Sequence, residues 1–494
     1  MIILKILSKN SDEYVILTHP NEQCKIGDYL IISDQNSELV IQVFDQTYLD
    51  CFGTAEEIVR DQAMFSDIKG ADYDDFNLQS FSNIIKDMKI LKCKFRGYLS
   101  GKNNKITIPS RVHSQIRKCT LKEIFDSVGN LGKRRFSLGK YDDIENLKIC
   151  AENLDGSLNI ITGKKGSGKS HISKLLVSQL SEYGANMVIF DLNNEYWGLK
   201  DKYNSNNLNN PNVEILLPGN NLQFSLKYLG LQPFIHILKY VLDVPAASLR
   251  EFVRIWNKLS EKNSLNMYNL NNEINNSRGN EFVKEALTSR FSTIKHSNLF
   301  TDVEENAVTF ENLFDINNNG TINIISLGKV SASVRRMTVE LILSKLTHLL
   351  ERDIIPPIFL FAEEAHLYLR ETYWDDIITR MRHFGIFPTL ITNQPDAIKD
   401  GIYRQADNIF LFNFTSDIDL DMISRASTTD SLSIKSIVKN LDRGSCLVLG
   451  KVVHDFPVLI KTKKSEFNSL GQTKLFFKDD TLHENEQIIP EIKK

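Results

Sequence analysis

The chain lacks paired cysteines, long apolar runs and any surplus of positive charge. Its six cysteines (Cys24, Cys51, Cys93, Cys119, Cys150 and Cys446) are scattered, with no C-x-x-C pair among them. That spacing argues against a zinc site and a disulfide framework, and it fits a reducing cytoplasm. No apolar run reaches the ~18 residues of a membrane span, so no membrane association is expected. Met1–Leu7 is apolar but has no charged leader or small-residue cleavage site, and it reads as a strand rather than a signal peptide. The formal net charge is −3. Proteins that coat nucleic acid are usually basic, because neutralising phosphates supplies the affinity. Any contact with DNA must therefore come from a local basic surface, such as the lining of a ring. What remains is an ordinary globular composition, 42% apolar and 24% charged over 494 residues, enough for about three domains.

The pattern changes along the chain. Residues 1–115 carry short β-branched runs at Tyr14–Leu17, Tyr29–Ile32, Leu39–Val43, Ile90–Phe95 and Lys105–Pro109, with a helical stretch near 75–88. Strands at this density predict a small β-barrel, with a two-sheet sandwich as the alternative. Residues 116–150 read as a connector with a basic cluster, Lys133–Arg135, which suits a solvated linker. From 151 strands alternate with helices, the pattern of an α/β fold. The core is assigned to 151–225 and 301–462, interrupted by a helical insertion at 226–300. There Phe234, Ile235, Leu238 and Val241, then Leu249, Phe252, Val253 and Trp256, recur at helical spacing. A helix is predicted at 371–384, an Asn-rich loop at 203–212, and a polar tail or inter-subunit arm at 463–494.

Residues 163–170 read Gly163, Lys164, Lys165, Gly166, Ser167, Gly168, Lys169, Ser170, a complete G-x-x-x-x-G-K-[ST] phosphate loop. An apolar strand, Leu158–Thr162, precedes it and an amphipathic helix, Ser170–Tyr183, follows, so the context fits the string. The glycines let backbone N–H groups wrap the phosphates of ATP. Lys169 reaches the β- and γ-phosphates, and the Ser170 hydroxyl can ligate Mg²⁺. The helix N-terminus adds favourable partial charge, and the binding stretch runs on to His171.

Such a loop needs a carboxylate at the end of another strand. The apolar run Ile358–Phe361 leads into Glu363 and Glu364, where a parallel sheet binds its ligands. Neighbouring side chains leave a strand end in different directions. Glu363 is assigned to the metal and Glu364 to the general base that orients the attacking water. A further strand, Phe387–Thr392, ends in Asn393 and Gln394, amides placed to sense the γ-phosphate. Ring-forming P-loop ATPases commonly borrow an arginine from a neighbour, and Arg335, Arg336, Arg380 and Arg382 are candidates. Lys200, Lys202 and Lys329 are candidates for a channel but read better as surface lysines.

Together these residues resemble the HerA-type DNA translocases, relatives of FtsK among the RecA-like ATPases. Asp191 to Glu195 and Tyr196 resembles the family's D-x-x-x-E-Y motif. Glu363–His366 resembles its E-E-A-H form of the acidic motif. Arg382–Gly385, followed by Leu390–Pro395, resembles its R-K-F-G and S-Q-R-P stretches, and Gly444–Gly450 also fits. The likeness runs to about residue 462, and the N-terminal region is similar to the HAS barrel of these proteins. It implies a RecA-like core, a homo-hexameric ring with double-stranded DNA in its channel, and ATP at subunit interfaces. It singles out Arg382 as a finger acting in trans and keeps Asp191 and Glu195 as the motif's acids. Anchored on Pro395, the family's glutamine falls at Asn393 and its arginine position at Gln394, so both stay as sensors. Family members work with a separate effector protein, a nuclease or a sirtuin-type NADase, in DNA-end resection or antiphage defence. The Asn- and Lys-rich usage suits an AT-rich bacterial genome and leans toward defence. The alternative is an ATP-binding ring that scaffolds an effector with little translocation.

Overall fold

In a computed structural model the described residues are 4–34, 37–49, 87–99, 108–128, 132–141, 145–203, 210–277, 280–314, 320–369, 378, 380–414, 416–426 and 431–463. Nearly all of the helix expected at 75–88, most of the strand expected at 105–109, most of the helix expected at 371–384 and the tail from 464 lie outside them. Among the described residues no helix is long and apolar enough to cross a membrane.

The N-terminal strands β1 (Leu4–Asn10), β2 (Glu13–Thr18), β3 (Tyr29–Asp34), β4 (Ser37–Tyr48), β5 (Lys89–Tyr98) and β6 (Gln115–Lys118) form an antiparallel sheet in the order β1-β2-β5-β4-β3-β6. One face of it supplies a single apolar cluster with members from all six strands, including Leu4 and Ile6 at one end and Ile116 at the other. The sheet therefore curls toward itself, although its end strands share no ladder among the described residues. Its other face, with Tyr29 and Ile31, packs on the larger domain. The Tyr29 hydroxyl and the Gln42 amide both donate to the Pro457 carbonyl, at 2.7 and 2.8 Å.

The larger sheet has eleven strands. They are β7 (Arg135–Tyr141), β8 (Glu145–Cys150), β9 (Asn159–Thr162), β10 (Met187–Asp191), β11 (Asn212–Leu216), β12 (Thr321–Ser326), β13 (Ile358–Ala362), β14 (Ile386–Thr392), β15 (Asn408–Leu411), β16 (Ser445–Gly450) and β17 (Val458–Thr462). Their order is β11-β12-β10-β13-β14-β9-β15-β16-β17-β7-β8. From β11 to β15 all neighbours run parallel; from β15 to β8 they run antiparallel. Residues 116–150, expected to be a connector, instead supply β6 to the first sheet, a helix α1 (Leu121–Val128), and the hairpin β7–β8 to the second. Of the basic cluster, Lys133 and Arg134 precede β7 and Arg135 opens it, all three exposed, while Phe136, Leu138 and Tyr141 of β7 are buried in the core.

The parallel strands are buried on both faces, as helices on each side require. Alternate residues sort accordingly. Ile161, Met187, Ile189, Ile324, Phe361 and Ile391 meet Ile172, Leu175, Leu176 and Leu180 of helix α2 (Lys169–Ser181). Ile160, Val188, Phe190, Leu360 and Leu390 meet a second cluster. That cluster includes the helices α3 (Ala246–Glu261), α4 (Met267–Asn275) and α5 (Glu281–His296), and the long helix α6 (Ala332–Leu350). The segment expected as a helical insertion is thus helical and packs against the sheet face opposite α2.

Candidate active site at the phosphate loop

Four neighbouring parallel strands, β10, β13, β14 and β9, end side by side. The pairings Phe190 to Ala362, Ala362 to Leu390 and Thr392 to Thr162 place their C-terminal ends on one edge. The phosphate loop leaves β9, the acidic pair leaves β13, and Asn393 and Gln394 leave β14 between them. Asp191 closes β10 on the far side of β13.

The loop is set by close packing. A Cβ at Gly163 would lie 2.4 Å from Phe412 Cβ, and one at Gly168 would lie 2.9 Å from Phe412 Cε1. Phe412 is fully buried just past β15, and the neighbouring Asn413 carbonyl accepts from Lys164 N–H at 3.0 Å. The Lys169 ammonium folds back into the loop and donates to the carbonyls of Gly163 and Lys164, at 2.8 and 3.1 Å. Burial pushes its pKa down, while the carboxylates of Glu364, Glu363 and Glu195 act in the opposite sense. Lys164, Lys165 and Gly166 are exposed, Ser167 is buried, and Ser170 is half-buried at the start of α2. The His171 side chain departs from its expected place. Its Nε2 lies 2.5 Å from the Lys463 carbonyl, and its backbone N–H donates to the Gly168 carbonyl at 3.1 Å, so both hold the helix start rather than facing an open loop.

The two acids differ sharply. Glu363 is buried, and its Oε1 accepts the Tyr196 hydroxyl at 2.5 Å. Burial raises its pKa to about 8; the Tyr196 bond works against this, and the charges of Glu195, Asp191 and Glu364 add to it. Glu364 has a left-handed backbone, φ 48°. Its solvent-shielded Oε2 accepts no hydrogen bond and sits 3.5 Å from His366 Nδ1. Asn393 is half-buried with an unpartnered, shielded Oδ1, whereas Gln394 is exposed. Between the two amides, Asn393 is therefore the one aimed into the protein. Ser167 Oγ is likewise shielded and unpartnered. Buried polar atoms normally find partners, and several that do not, Glu364 Oε2, Asn393 Oδ1, Ser167 Oγ and Thr162 Oγ1 among them, are gathered on the elements that surround the loop.

Asp191 and Glu195 serve the architecture. Asp191 Oδ1 accepts the N–H groups of Asn193 and Glu195, and Oδ2 accepts that of Tyr196, each at 3.1 Å. Burial raises the pKa of its carboxyl. Glu195 pairs with Lys174 on α2 at 2.8 Å. Tyr196 is marked in the sequence only by the D-x-x-x-E-Y stretch, and Phe412 belongs to no motif; the one sequence signal for Phe412 is the need of Gly163 and Gly168 for a close neighbour.

The candidate arginines fall on two edges. Arg335 and Arg336 follow β12 on the edge of the phosphate loop. Arg380 and Arg382 precede β14 on the opposite edge. Arg382 there lies 3.2 Å from the Asp407 carboxylate, which also accepts the Leu158 N–H that leads into β9. The seven residues of β14 separate Arg382 from Asn393, about 20 Å at strand rise.

A phosphate loop on a doubly wound parallel sheet, with acids on the same sheet edge, defines a P-loop ATPase. The comparisons with known proteins narrow this. Residues 138–346 match the family model described as helicase HerA, central domain. The DNA double-strand break repair helicase HerA of Saccharolobus solfataricus is 24% identical over 357 residues, 65% of this chain and 69% of that one. Its namesake in Sulfolobus acidocaldarius is 24% identical over 413 residues, 76% of this chain and 77% of that one. The chain is an ATPase whose residues 138–346 are similar to the HerA central domain. Among solved structures, VirB4 of Thermoanaerobacter pseudethanolicus is similar in fold, with TM-score 0.52 and 15% identity over 67% of this chain and 97% of that one.

Proposed function

We propose that this chain is an ATP-driven motor that moves double-stranded DNA through a homo-hexameric ring, hydrolysing ATP where subunits meet. The observation that carries the reading is the position of Arg382. It sits on the sheet edge opposite its own Lys169, so an arginine acting on nucleotide must serve the site of a neighbour.

The residues fit MgATP. Gly163 and Gly168 shape a loop no Cβ could enter, and Lys169 turns its ammonium toward that loop. The crowding of Glu363 by other acids is what a divalent cation would relieve. Ser170 and Glu363 would hold Mg²⁺, which neutralises charge on the phosphates when bound. Glu364, with its unpartnered oxygen, is suited to accept a proton from water. Asn393 reports on the terminal phosphate, and Arg382 of the next subunit stabilises charge developing there. The motor acts in the cytoplasm with a separate effector, a nuclease or a sirtuin-type NADase, in antiphage defence; the support for this part is the family likeness alone.

Mixing tests the shared site. Lys169→Ala and Arg382→Ala proteins, each inactive alone, should regain ATPase activity when combined, because some interfaces then pair an intact loop with an intact arginine. No regain in mixed rings would remove the trans reading. A second reading, a ring that scaffolds the effector with little translocation, is favoured by the net charge of −3. Glu364→Gln separates the two: a motor stops, whereas a scaffold still assembles and activates its partner.

A further inference from the structure

The turn after β10 is built to drive one side chain inward. Asp191 gathers the N–H groups of residues 193, 195 and 196, and Asn194 takes a left-handed φ of 57°. Tyr196 is thereby fully buried, with its hydroxyl between two elements of the site. It lies 2.6 Å from Ser173 Oγ on α2, one turn beyond Lys169, and 2.5 Å from Glu363 Oε1 at the end of β13. A phenol has one proton to give. If it goes to Glu363, the phenol oxygen is left to accept from Ser173, and every member of the chain is satisfied. The adjacent Glu195–Lys174 pair fastens the same turn to the same helix.

We propose that Tyr196 is the positioning residue of the metal site: by holding Glu363 Oε1 it fixes the carboxylate so that Oε2 faces the cation on Ser170. The proposal rests on the metal role of Glu363 given above. Carboxylates that bind metals are themselves oriented by hydrogen bonds from outside the coordination sphere, and loss of such a bond typically costs about 10- to 100-fold in metal affinity. Tyr196 touches neither metal nor nucleotide, so it acts only through Glu363. A second tyrosine provides the control. The buried Tyr368 hydroxyl donates to the backbone carbonyl of Glu363 at 2.8 Å, leaving the carboxylate alone.

The test measures Mn²⁺ binding to the full chain loaded with ADP, by electron paramagnetic resonance of the free ion, so no turnover is needed. Tyr196→Phe keeps the ring and should weaken Mn²⁺ by about 10- to 100-fold. Tyr368→Phe should stay close to wild type, and Glu363→Gln should lose binding at least as severely as Tyr196→Phe. Wild-type affinity in Tyr196→Phe beside a loss in Glu363→Gln would overturn the positioning role alone. Equal losses in the two tyrosine variants would overturn it as well, since they would report a loosened residue 363. Unchanged affinity in Glu363→Gln would bring down the metal role of Glu363 and the inference with it.

Discussion

Arg382 and Asp407 meet at 3.2 Å on the edge of the sheet where β14 and β15 begin, while Lys169 stands on the edge where β9 ends. Asp407 also accepts the Leu158 N–H at 2.9 Å and pairs with Lys451 at 2.7 Å. One largely shielded carboxylate therefore ties the candidate finger to the start of the strand that carries the phosphate loop.

Arg382→Ala should leave nucleotide binding near wild type and cut ATP hydrolysis by roughly 10³-fold or more. Asp407→Asn should instead lower stability, by about 1–3 kcal/mol, because a hydrogen-bonded, largely shielded charge is lost. Fluorescent-nucleotide titration, turnover and denaturant unfolding distinguish the two. Loss of nucleotide binding in Arg382→Ala would exclude the finger assignment.

Lys169→Ala should remove phosphate binding and turnover together, since the ammonium is already turned into the loop. Glu364→Gln should keep binding and lose about 10²- to 10⁴-fold in turnover, the usual contribution of a general base. Parallel titrations of binding and rate check both. Equal loss of binding in the two variants would place Glu364 in the phosphate cradle rather than at the water.

Gly168→Ala should abolish nucleotide binding. Gly168 has φ 125°, and the added Cβ would lie 2.9 Å from Phe412 Cε1. Adding Phe412→Ala relieves only the contact and leaves the backbone strain. The double variant should thus recover part of the binding, as a thermal shift with ADP would reveal, and full recovery would mean that the ring contact alone constrains the loop.

Nucleotide-free protein should lose stability as pH rises. The Glu363 carboxyl holds its proton up to about 8, against an ordinary 4.5, so the folded state binds a proton that the unfolded chain has released. The stability this contributes is complete below about 4.5 and is lost as pH climbs to about 8. Glu363→Gln should flatten the profile across that window. Melting temperatures measured without nucleotide or divalent ions test it; an unchanged slope in the variant would show that the carboxyl ionises normally.

Much of the site was legible because it is local. A phosphate loop is one continuous stretch whose glycines, lysine and serine must be adjacent, and its flanking strand and helix show in the periodicity of Leu158–Thr162 and of Ile172–Leu180. The acid pair was legible because an apolar run ending in carboxylates marks the C-terminal edge of a buried strand. The hairpin β7–β8 was missed because its basic outward positions mimic a linker, and only pairing with β17 reveals the inward Phe136, Leu138 and Tyr141.

By itself the sequence determined the ligand chemistry: which residues can cradle phosphate, which acids stand near a strand end, and that the core alternates strands with helices. Tertiary structure decided how these residues divide the work. Burial and a tyrosine 167 residues earlier made Glu363 unlike its neighbour Glu364, and strand direction put Arg382 on the far edge from Lys169. The reason is physical. Propensity and spacing act over a few residues, whereas desolvation, hydrogen-bond partners and the edge of a sheet on which a side chain emerges depend on which strands become neighbours.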